Sequence, residues 1–469
     1  MEQLTTLDAG FLTAEDSDRH VSMAIGGLAI AEGPMPDHEE LISTLAERIG
    51  SCPRFRQRLR TRPFDLRAPE WVADTDFDPA HHVHHVALPH PGDDGELFRL
   101  AADVISRRLD RDRPLWEIWL IEGLGDNRWA MLTKIHHCMA DGIAATHMLA
   151  GLCDDGLHES FASQIRAAKA ARTDTAAKTG TSNPLSFLSG LWNAPAAIAT
   201  SAARTALGAA EIATGLLRPA TTSLNGPITT LRRYSGARVP LVDIAEVCQA
   251  FGVTLNDVAL AAITEAYRNA LISRGEQPSP EVLRALVPVS IRSADAMGAT
   301  DNRVSVMLPY LPVEEPNPEQ RLKIVHARMN RTKSHGQREA GSAFVSMANR
   351  IPFPLTAWAM RLLTRLPQHG VTTLTTNVPG PRKPLRLMGQ RVLSVLPVPP
   401  IAMQLRTGVA MLSYADDLFF GILADYDSVA DVDALASGIE GAIARLVASG
   451  KKQNPGCPAD GPSATTRTP

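Results

Sequence analysis

Residues 136–142 have the sequence His-His-Cys-Met-Ala-Asp-Gly and lie between a strand-like and a helix-like segment. Before them, apolar runs at Leu115 to Ile121 and Trp129 to Ile135 flank a Gly-Leu-Gly-Asp-Asn turn at 123–127, which predicts a β-hairpin. After them, residues 143–152 have the apolar spacing of a helix. Two histidines are therefore predicted where a strand ends and a helix begins.

Strand-like and helix-like segments alternate through the rest of the chain, which predicts an α/β fold. Residues 1–155 form a first unit that carries the two histidines. Residues 156–225 are rich in Ala, Ser and Thr, and we interpret them as a helical connection. Residues 226–450 form a second α/β unit of similar size, and residues 451–469 are predicted to be a disordered tail.

Composition excludes several classes of protein. The chain has 469 residues, 44% of them hydrophobic, and 47 Lys+Arg against 50 Asp+Glu give a net charge of −3. A polyanion binder needs a basic surface, so nucleic acid is not expected as a partner. The five cysteines show no CxxC spacing, which indicates reduced thiols in a cytoplasmic protein and no structural zinc. No signal peptide and no transmembrane helix is predicted.

The two histidines suggest acid–base chemistry. Neighbouring side chains on a strand point to opposite faces, so only one histidine can face a given cleft. An imidazole is well suited to remove a proton from a hydroxyl near neutral pH. Asp141 could orient that base, or it could hold the loop by pairing with an arginine. Gly142 would let the backbone turn sharply where a side chain would clash.

Other residues allow other interpretations. Cys138, next to the histidines, could be a nucleophile or a bystander. The histidines at 81–85 could bind a metal with the help of Asp78, but on a strand no three of them share a face, so no metal site is predicted. The histidines in question are His81, His82, His84 and His85.

The pattern HHxxxDG resembles the signature of the CoA-dependent acyltransferases, which include chloramphenicol acetyltransferase-like enzymes and peptide-synthetase condensation domains. Six further segments resemble motifs of the bacterial wax ester synthase/diacylglycerol acyltransferase family, and the resemblance runs from the N-terminus to about residue 448. They are Leu4 to Leu12, Pro114 to Glu117, Leu224 to Pro227, Asn256 to Ala261, Pro288 to Arg292 and Thr376 to Pro381.

This resemblance implies two chloramphenicol acetyltransferase-like domains with a central cleft or channel. It implies that His137 is the general base and that His136 supports it. Asp141 would be mainly structural and would pair with an arginine, for which Arg56 is the candidate and Arg54 and Arg58 are close alternatives.

Three further motifs have both a functional and a structural interpretation. Asn256 could donate a hydrogen bond to the developing oxyanion, or it could be the N-cap of the helix that follows. Asp257 shares that motif, and Asn377 could belong to a rigid turn that shapes the channel. Pro114, Leu115 and Trp116 could belong to the channel, although a strand start with a buried indole is the interpretation we favour.

The resemblance also implies the substrates. A long-chain acyl-CoA would transfer its acyl group directly to an alcohol, with no cofactor and no acyl-enzyme. Diacylglycerol, giving triacylglycerol, is the first expected acceptor, and a fatty alcohol, giving wax ester, is the second. Peripheral contact with the inner membrane face or with lipid droplets would fit such substrates. Two alternatives are an enzyme for carrier-bound or polyketide-type alcohols and a non-catalytic lipid-binding paralogue.

Overall fold

The structure, a computed structural model, describes residues 2–50, 52–61, 67–154, 222–290, 304–334, 353–354, 357–358, 361 and 370–453. Two β-sheets flanked by helices account for most of these ranges, so the predicted α/β class is confirmed. The predicted connection at 156–225 lies outside the described residues except at its last four positions.

The N-terminal part supplies most of the first sheet, in which β1, β6, β5 and β4 are neighbours in that order. The predicted hairpin is confirmed, and Asp126 and Asn127 at its turn both have positive φ (61° and 54°), as a tight hairpin turn requires. The elements are α1 (Thr6–Ser17), β1 (Ala24–Glu32), α2 (His38–Gly50), β2 (Gln57–Arg60), β3 (Glu70–Ala73), β4 (Val83–Ala87), α3 (Asp94–Ser106), β5 (Trp116–Leu124), β6 (Arg128–His136) and α4 (Gly142–Gly151).

The C-terminal part supplies the whole second sheet, which has the order β10-β8-β11-β14-β15-β7 and in which β9 also pairs with β8. The elements are β7 (Arg232–Pro240), α5 (Leu241–Phe251), α6 (Leu255–Ser273), β8 (Leu283–Ser290), β9 (Val304–Met307), β10 (Tyr310–Leu311), α7 (Pro318–Ser334), β11 (Thr373–Val378), β12 (Arg386–Leu387), β13 (Gln390–Val398), β14 (Thr407–Tyr414), β15 (Asp417–Asp425) and α8 (Val432–Gln453).

The end of α8 corrects one prediction. Residues 451–453 were assigned to the disordered tail, but they continue α8 to Gln453. Lys451 and Lys452 lie in the last turn, where their positive charges favour the negative end of the helix dipole. The rest of the predicted tail lies outside the described residues.

Two strands cross from the second half of the chain into the first sheet. β13 pairs antiparallel with β1, with Gly26 opposite Val398, and β12 extends the same edge. Residues 386–398 were predicted to belong to the C-terminal unit, but the sheet to which they belong is that of the N-terminal unit. The two halves therefore share one hydrogen-bonded sheet.

Small residues let β13 approach the second sheet. A Cβ on Gly421 would lie 1.7 Å from the Pro397 carbonyl oxygen, and a Cβ on Gly236 would lie 2.2 Å from Leu396. The Tyr234 hydroxyl donates to the same Pro397 oxygen over 3.0 Å. Because a side chain at either glycine would push the strands apart, these contacts fix the spacing between the sheets.

Among the described residues, no single helix is sufficiently long and apolar to cross a membrane. The α5–α6 pair meets the same length and composition test jointly, with a bend of 102° between its helices.

Candidate active site

The two histidines lie at the end of β6 and face opposite sides. The His136 N–H donates to the Leu115 oxygen, and the His137 N–H donates to the Met23 oxygen, both over 2.9 Å, so neighbouring strands hold the backbone. The His136 side chain is 1% exposed, whereas His137 is half-buried and lines a cavity. The strand alternation in the sequence predicts this arrangement.

The cavity lies between the two sheets and has a volume of about 320 Å³. Its walls come from both halves of the chain, including Leu7 and Phe11 of α1, Val378 of β11 and Pro397 of β13. Nearly all lining side chains are apolar, and the described lining residues include no lysine or arginine. Such a cavity suits a hydrocarbon chain and brings it to His137.

Phe11 sets the plane of the His137 ring. The two rings stack with centroids 4.1 Å apart and an angle of 18° between their planes. A ring held in this way loses few rotamers when a substrate arrives, which favours catalysis by a positioned base. The side chain of His137 is therefore both accessible from the cavity and held in one orientation.

Behind the cavity, His136 contacts a buried carboxylate that our sequence analysis did not identify. His136 Nδ1 accepts the Cys138 N–H over 3.1 Å, so the ring proton lies on Nε2. That nitrogen is 3.4 Å from Oε2 of Glu15, which is also 1% exposed. Glu15 accepts from the Met23 N–H over 2.8 Å and from Arg111 over 2.9 Å. A chain of charged and polar groups thus runs from Arg111 to His136.

The pKa of Glu15 reflects these contacts. Burial would raise it, but the contact with His136, together with the Met23 N–H and Arg111, lowers the pKa from the usual 4.5 to about 2. The carboxylate is therefore ionised in the folded protein at neutral pH. It fixes both the position of His136 and the adjacent backbone at Met23, whose oxygen binds the His137 N–H.

Glu15→Gln is expected to reduce the acid sensitivity of the fold. Because the folded-state pKa lies below the unfolded one, ionised Glu15 stabilises the protein above pH 4.5, and this stabilisation disappears as the pH falls towards 2. The stabilisation by ionised Glu15 amounts to about 3 kcal/mol at pH 6. About 2 kcal/mol of it should be lost when the pH falls to 3. Guanidinium unfolding of wild type and variant at pH 6 and pH 3 measures the difference.

Asp16→Asn is the matched control, because Asp16 also contacts Arg111, over 2.8 Å, but is 58% exposed. Exposed ion pairs contribute little to stability. The difference in unfolding free energy between Asp16→Asn and wild type should therefore change by less than about 1 kcal/mol between pH 6 and pH 3. If Glu15→Gln behaves in the same way, the assigned role of Glu15 is wrong.

Asp141 begins α4 as its N-cap. Its carboxylate accepts the Ala144 N–H over 2.9 Å, and it is 2% exposed. Among the candidate partners, the Arg56 guanidinium lies 5.7 Å from the Phe77 ring centroid, and buried Arg54 donates to Glu2 over 2.6 Å. The capping contact supports a structural role of Asp141, while its pairing with Arg56 stays a prediction.

Gly142 lies against a strand from the other half of the chain. Its φ is not among the positive values found in the described residues, and its role in a sharp turn stays a prediction. A Cβ on Gly142 would lie 2.6 Å from Cγ2 of Val378, so the expected clash is confirmed. The start of α4 and the end of β11 thus touch at the cavity wall, one from each half of the chain.

Known proteins resemble this chain along almost its whole length. Residues 4–259 match the wax ester synthase/diacylglycerol acyltransferase catalytic domain, and residues 300–447 match the WS/DGAT C-terminal domain. This chain belongs to the wax ester synthase/diacylglycerol acyltransferase family. The probable diacylglycerol O-acyltransferase tgs1 of Mycobacterium tuberculosis H37Rv is 61% identical over 97% of both chains.

Solved structures agree with the family and the fold. The wax ester synthase/diacylglycerol acyltransferase from Marinobacter aquaeolei VT8 has a TM-score of 0.68 at 26% identity, covering 96% of this chain and all of the other. The first condensation domain of the CDA synthetase has a TM-score of 0.59 at 17% identity and covers 95% of both chains, which shows a shared fold. The predicted two-domain acyltransferase fold is thereby confirmed.

The Asn-Asp motif of this family member lies outside the described cavity lining. Thr254 is the N-cap of α6 and forms a capping box with Asp257, so the interpretation of Asn256 as the N-cap is wrong. Asn256 is exposed and accepts a hydrogen bond from Asn377 over 2.5 Å. Asp257 also binds His326 over 2.8 Å, which joins α6 to α7. The role of Asn256 as oxyanion donor stays a prediction.

Trp116 has the structural role that the sequence favoured. Pro114 and Leu115 lead into β5, which Trp116 begins with a side chain that is 1% exposed. Its indole N–H donates to the Phe55 oxygen over 2.8 Å, and its ring stacks on His82 at 4.5 Å. None of the residues Pro114, Leu115 and Trp116 is among the described residues that line the cavity.

Three of the four histidines at 81–85 have partners other than a metal. His82 Nδ1 lies 2.9 Å from the Trp116 oxygen, His84 packs on Trp119 at 4.4 Å, and His85 lies 3.5 Å from Glu122. Within the described ranges, no group of three or more His, Cys, Asp or Glu residues could hold a metal ion.

Cys138→Ala is expected to keep at least about a third of the wild-type turnover. The thiol is buried, and burial raises its pKa well above the usual 9.0, so it is not a reactive thiolate. Activity of the purified variant, with folding checked by circular dichroism, measures the effect. A loss above a hundredfold in a folded variant would show that Cys138 takes part in the chemistry.

Proposed function

We propose that the protein transfers a long-chain acyl group from acyl-CoA to the hydroxyl of diacylglycerol and so makes triacylglycerol. The observation that carries this proposal is the half-buried His137 on an apolar cavity between the two sheets. Membership of the family and the name of the 61% identical tgs1 relative support the substrates. A fatty alcohol, giving wax ester, is the second acceptor.

The reaction needs one base and two bound substrates. A nitrogen of His137 takes the proton of the acceptor hydroxyl while the oxygen attacks the thioester carbonyl. When the tetrahedral intermediate collapses, the carbon–sulfur bond breaks and the imidazolium returns the proton to the CoA thiolate. The ester and free CoA leave, and the histidine is neutral again. No acyl-enzyme forms, and the chemistry requires neither metal nor cofactor.

The walls of the cavity assist by excluding water. Apolar side chains from both sheets surround the imidazole, and Phe11 covers one face of it. Water that reached the thioester would compete with the acceptor and release free fatty acid. An apolar cavity thus favours esterification over hydrolysis. It also distinguishes only weakly between acceptors that differ by a few methylenes, which agrees with two acceptor classes.

The experiment uses the full chain with palmitoyl-CoA and either diacylglycerol or hexadecanol. Thiol release and lipid products are followed together, because thiol release alone would also report hydrolysis. Triacylglycerol as the main product is the expected result, and the wax ester rate ranks the second acceptor. Free palmitate without ester would indicate a thioesterase, and the absence of any product would favour a lipid-binding protein.

We also propose that the protein contacts the surface of a membrane or lipid droplet and is otherwise cytoplasmic. Both acceptors are held in such surfaces, and Met403 at the cavity is 41% exposed, so an apolar side chain is available there. Flotation with vesicles that contain diacylglycerol measures this contact. Protein that stays entirely in the dense fraction would contradict it.

A further inference from the structure

Two cationic side chains, Arg382 and Lys383, lie on an exposed turn directly after β11. The strand ends at Val378, which lines the cavity and touches the start of α4. We propose that Arg382 and Lys383 bind the phosphate groups of the acyl-CoA substrate.

The N-terminal side of this turn is fixed to β14. The Gly380 N–H donates to the Ser413 hydroxyl over 3.1 Å, and the Pro381 oxygen accepts the Ala415 N–H over 2.9 Å. A Cβ on Gly380 would lie 2.2 Å from the backbone carbonyl oxygen of Ser413, so only glycine allows this approach. One backbone and one side-chain hydrogen bond therefore hold this side of the turn against β14.

The C-terminal side is fixed as well. The Leu385 N–H donates to the Tyr414 hydroxyl over 2.8 Å, and that hydroxyl donates to the Val392 oxygen over 2.8 Å. Pro384 restricts the backbone between Lys383 and this contact. The two cations thus extend from a rigid turn, and less ordering entropy is lost when an anion binds there.

The charge of CoA requires a site of this kind outside the cavity. CoA carries a diphosphate and a 3′-phosphate, which are ionised at neutral pH. No lysine or arginine occurs among the described residues that line the cavity, so these described walls offer no cation to the phosphates. Arginine and lysine are the side chains that bind phosphate best. The first cations along the chain after the cavity wall on β11 are Arg382 and Lys383.

The length of chain between Val378 and Arg382 is compatible with the length of the pantetheine arm of CoA. Arg382 follows Val378 by four residues, which a chain spans over at most about 14 Å. The pantetheine arm separates the thioester from the diphosphate by a flexible chain of similar reach. An acyl-CoA could therefore place its thioester at His137, beside the contact between Gly142 and Val378, and its phosphates at the turn. The proposal rests on the proposed function, because it assumes that CoA is the acyl carrier.

The test compares two thioesters that differ only in the nucleotide part. For the R382A/K383A variant, KM for palmitoyl-CoA should rise roughly 3- to 30-fold, while kcat/KM for palmitoyl-pantetheine stays within about twofold of wild type. Added salt should raise the wild-type KM for palmitoyl-CoA more than that of the variant, because it screens exposed charges. The matched control is K451A. Lys451 is an exposed lysine in the last turn of α8, and its Nζ lies 3.5 Å from Glu246.

A binding measurement keeps this proposal separate from the proposed function. Calorimetry with adenosine 3′,5′-bisphosphate needs no turnover and should show weaker binding to R382A/K383A than to wild type and K451A. Equal binding to all three proteins, or an equal loss with both thioesters, would overturn the phosphate site. Weaker binding in a protein that transfers no acyl group would keep the site and contradict the acyl-transfer function.

Discussion

The His137→Ala variant is expected to lose about 10²- to 10⁴-fold in kcat, the usual contribution of a positioned acid–base group. His137 is the histidine of the pair that lines the cavity, and its ring is already held against Phe11. Without the imidazole, the one other titratable side chain among the described lining residues is Asp141, whose carboxylate caps α4. The initial rate of triacylglycerol formation measures the loss.

Two further measurements distinguish the loss of a base from a general loss of structure. KM for palmitoyl-CoA should change by less than about threefold, because the imidazole acts mainly in the transition state. The control His81→Ala removes an exposed histidine of the same half and should keep the wild-type rate. If His137→Ala keeps more than a tenth of the wild-type rate in a folded protein, another group is the base.

The sequence could predict the site where the information is local. Strand alternation predicts that only one histidine of the pair faces the cavity. The turn at Asp126 and Asn127 predicts the hairpin at whose end both histidines lie. The capping box of Thr254 and Asp257 is equally local, and it was available to correct the interpretation of Asn256. These features depend on neighbours within a few residues.

The position of Glu15 on its helix depends on local sequence, whereas its partner depends on long-range contacts. It follows Asp8 and Leu12 with helical spacing, and all three are buried, so the face of α1 on which it lies was visible in the sequence. Its partner His136 comes from a distant strand, and no local pattern joins the two. A carboxylate at helical spacing from buried positions was the available signal, since such a group needs a partner inside the protein.

The crossing of β13 into the first sheet could not be predicted in this way. Pairing of β1 with β13 joins Gly26 to Val398, and the sequence specifies each strand but not its partner. The cavity depends on this crossing, because β13 brings Val395 and Pro397 to its wall. The motifs thus indicated the chemistry, whereas the shape of the substrate site depends on long-range pairing.

The Gly142→Ala variant is expected to lose about 1 to 3 kcal/mol of stability, the usual cost of overpacking. The new Cβ would lie 2.6 Å from Cγ2 of Val378, so either α4 or β11 must move. That movement would displace the loop from His137 to Asp141, and kcat/KM should fall at least about tenfold, because a displacement of 1 Å can cost a hundredfold. Guanidinium unfolding and ester formation measure the two effects.

The contact between Gly142 and Val378 predicts a specific rescue. In the double variant G142A/V378A the clashing methyl group is absent, so the unfolding free energy should return to that of V378A, with a coupling energy of about 0.5 to 3 kcal/mol. Gly151→Ala is the matched control, because it lies at the other end of α4 and a Cβ there has no neighbour within 4 Å. It should leave stability unchanged or raise it, since alanine favours a helix more than glycine does. Equal behaviour of Gly142→Ala and Gly151→Ala would mean that the contact between the two halves does not select glycine at position 142.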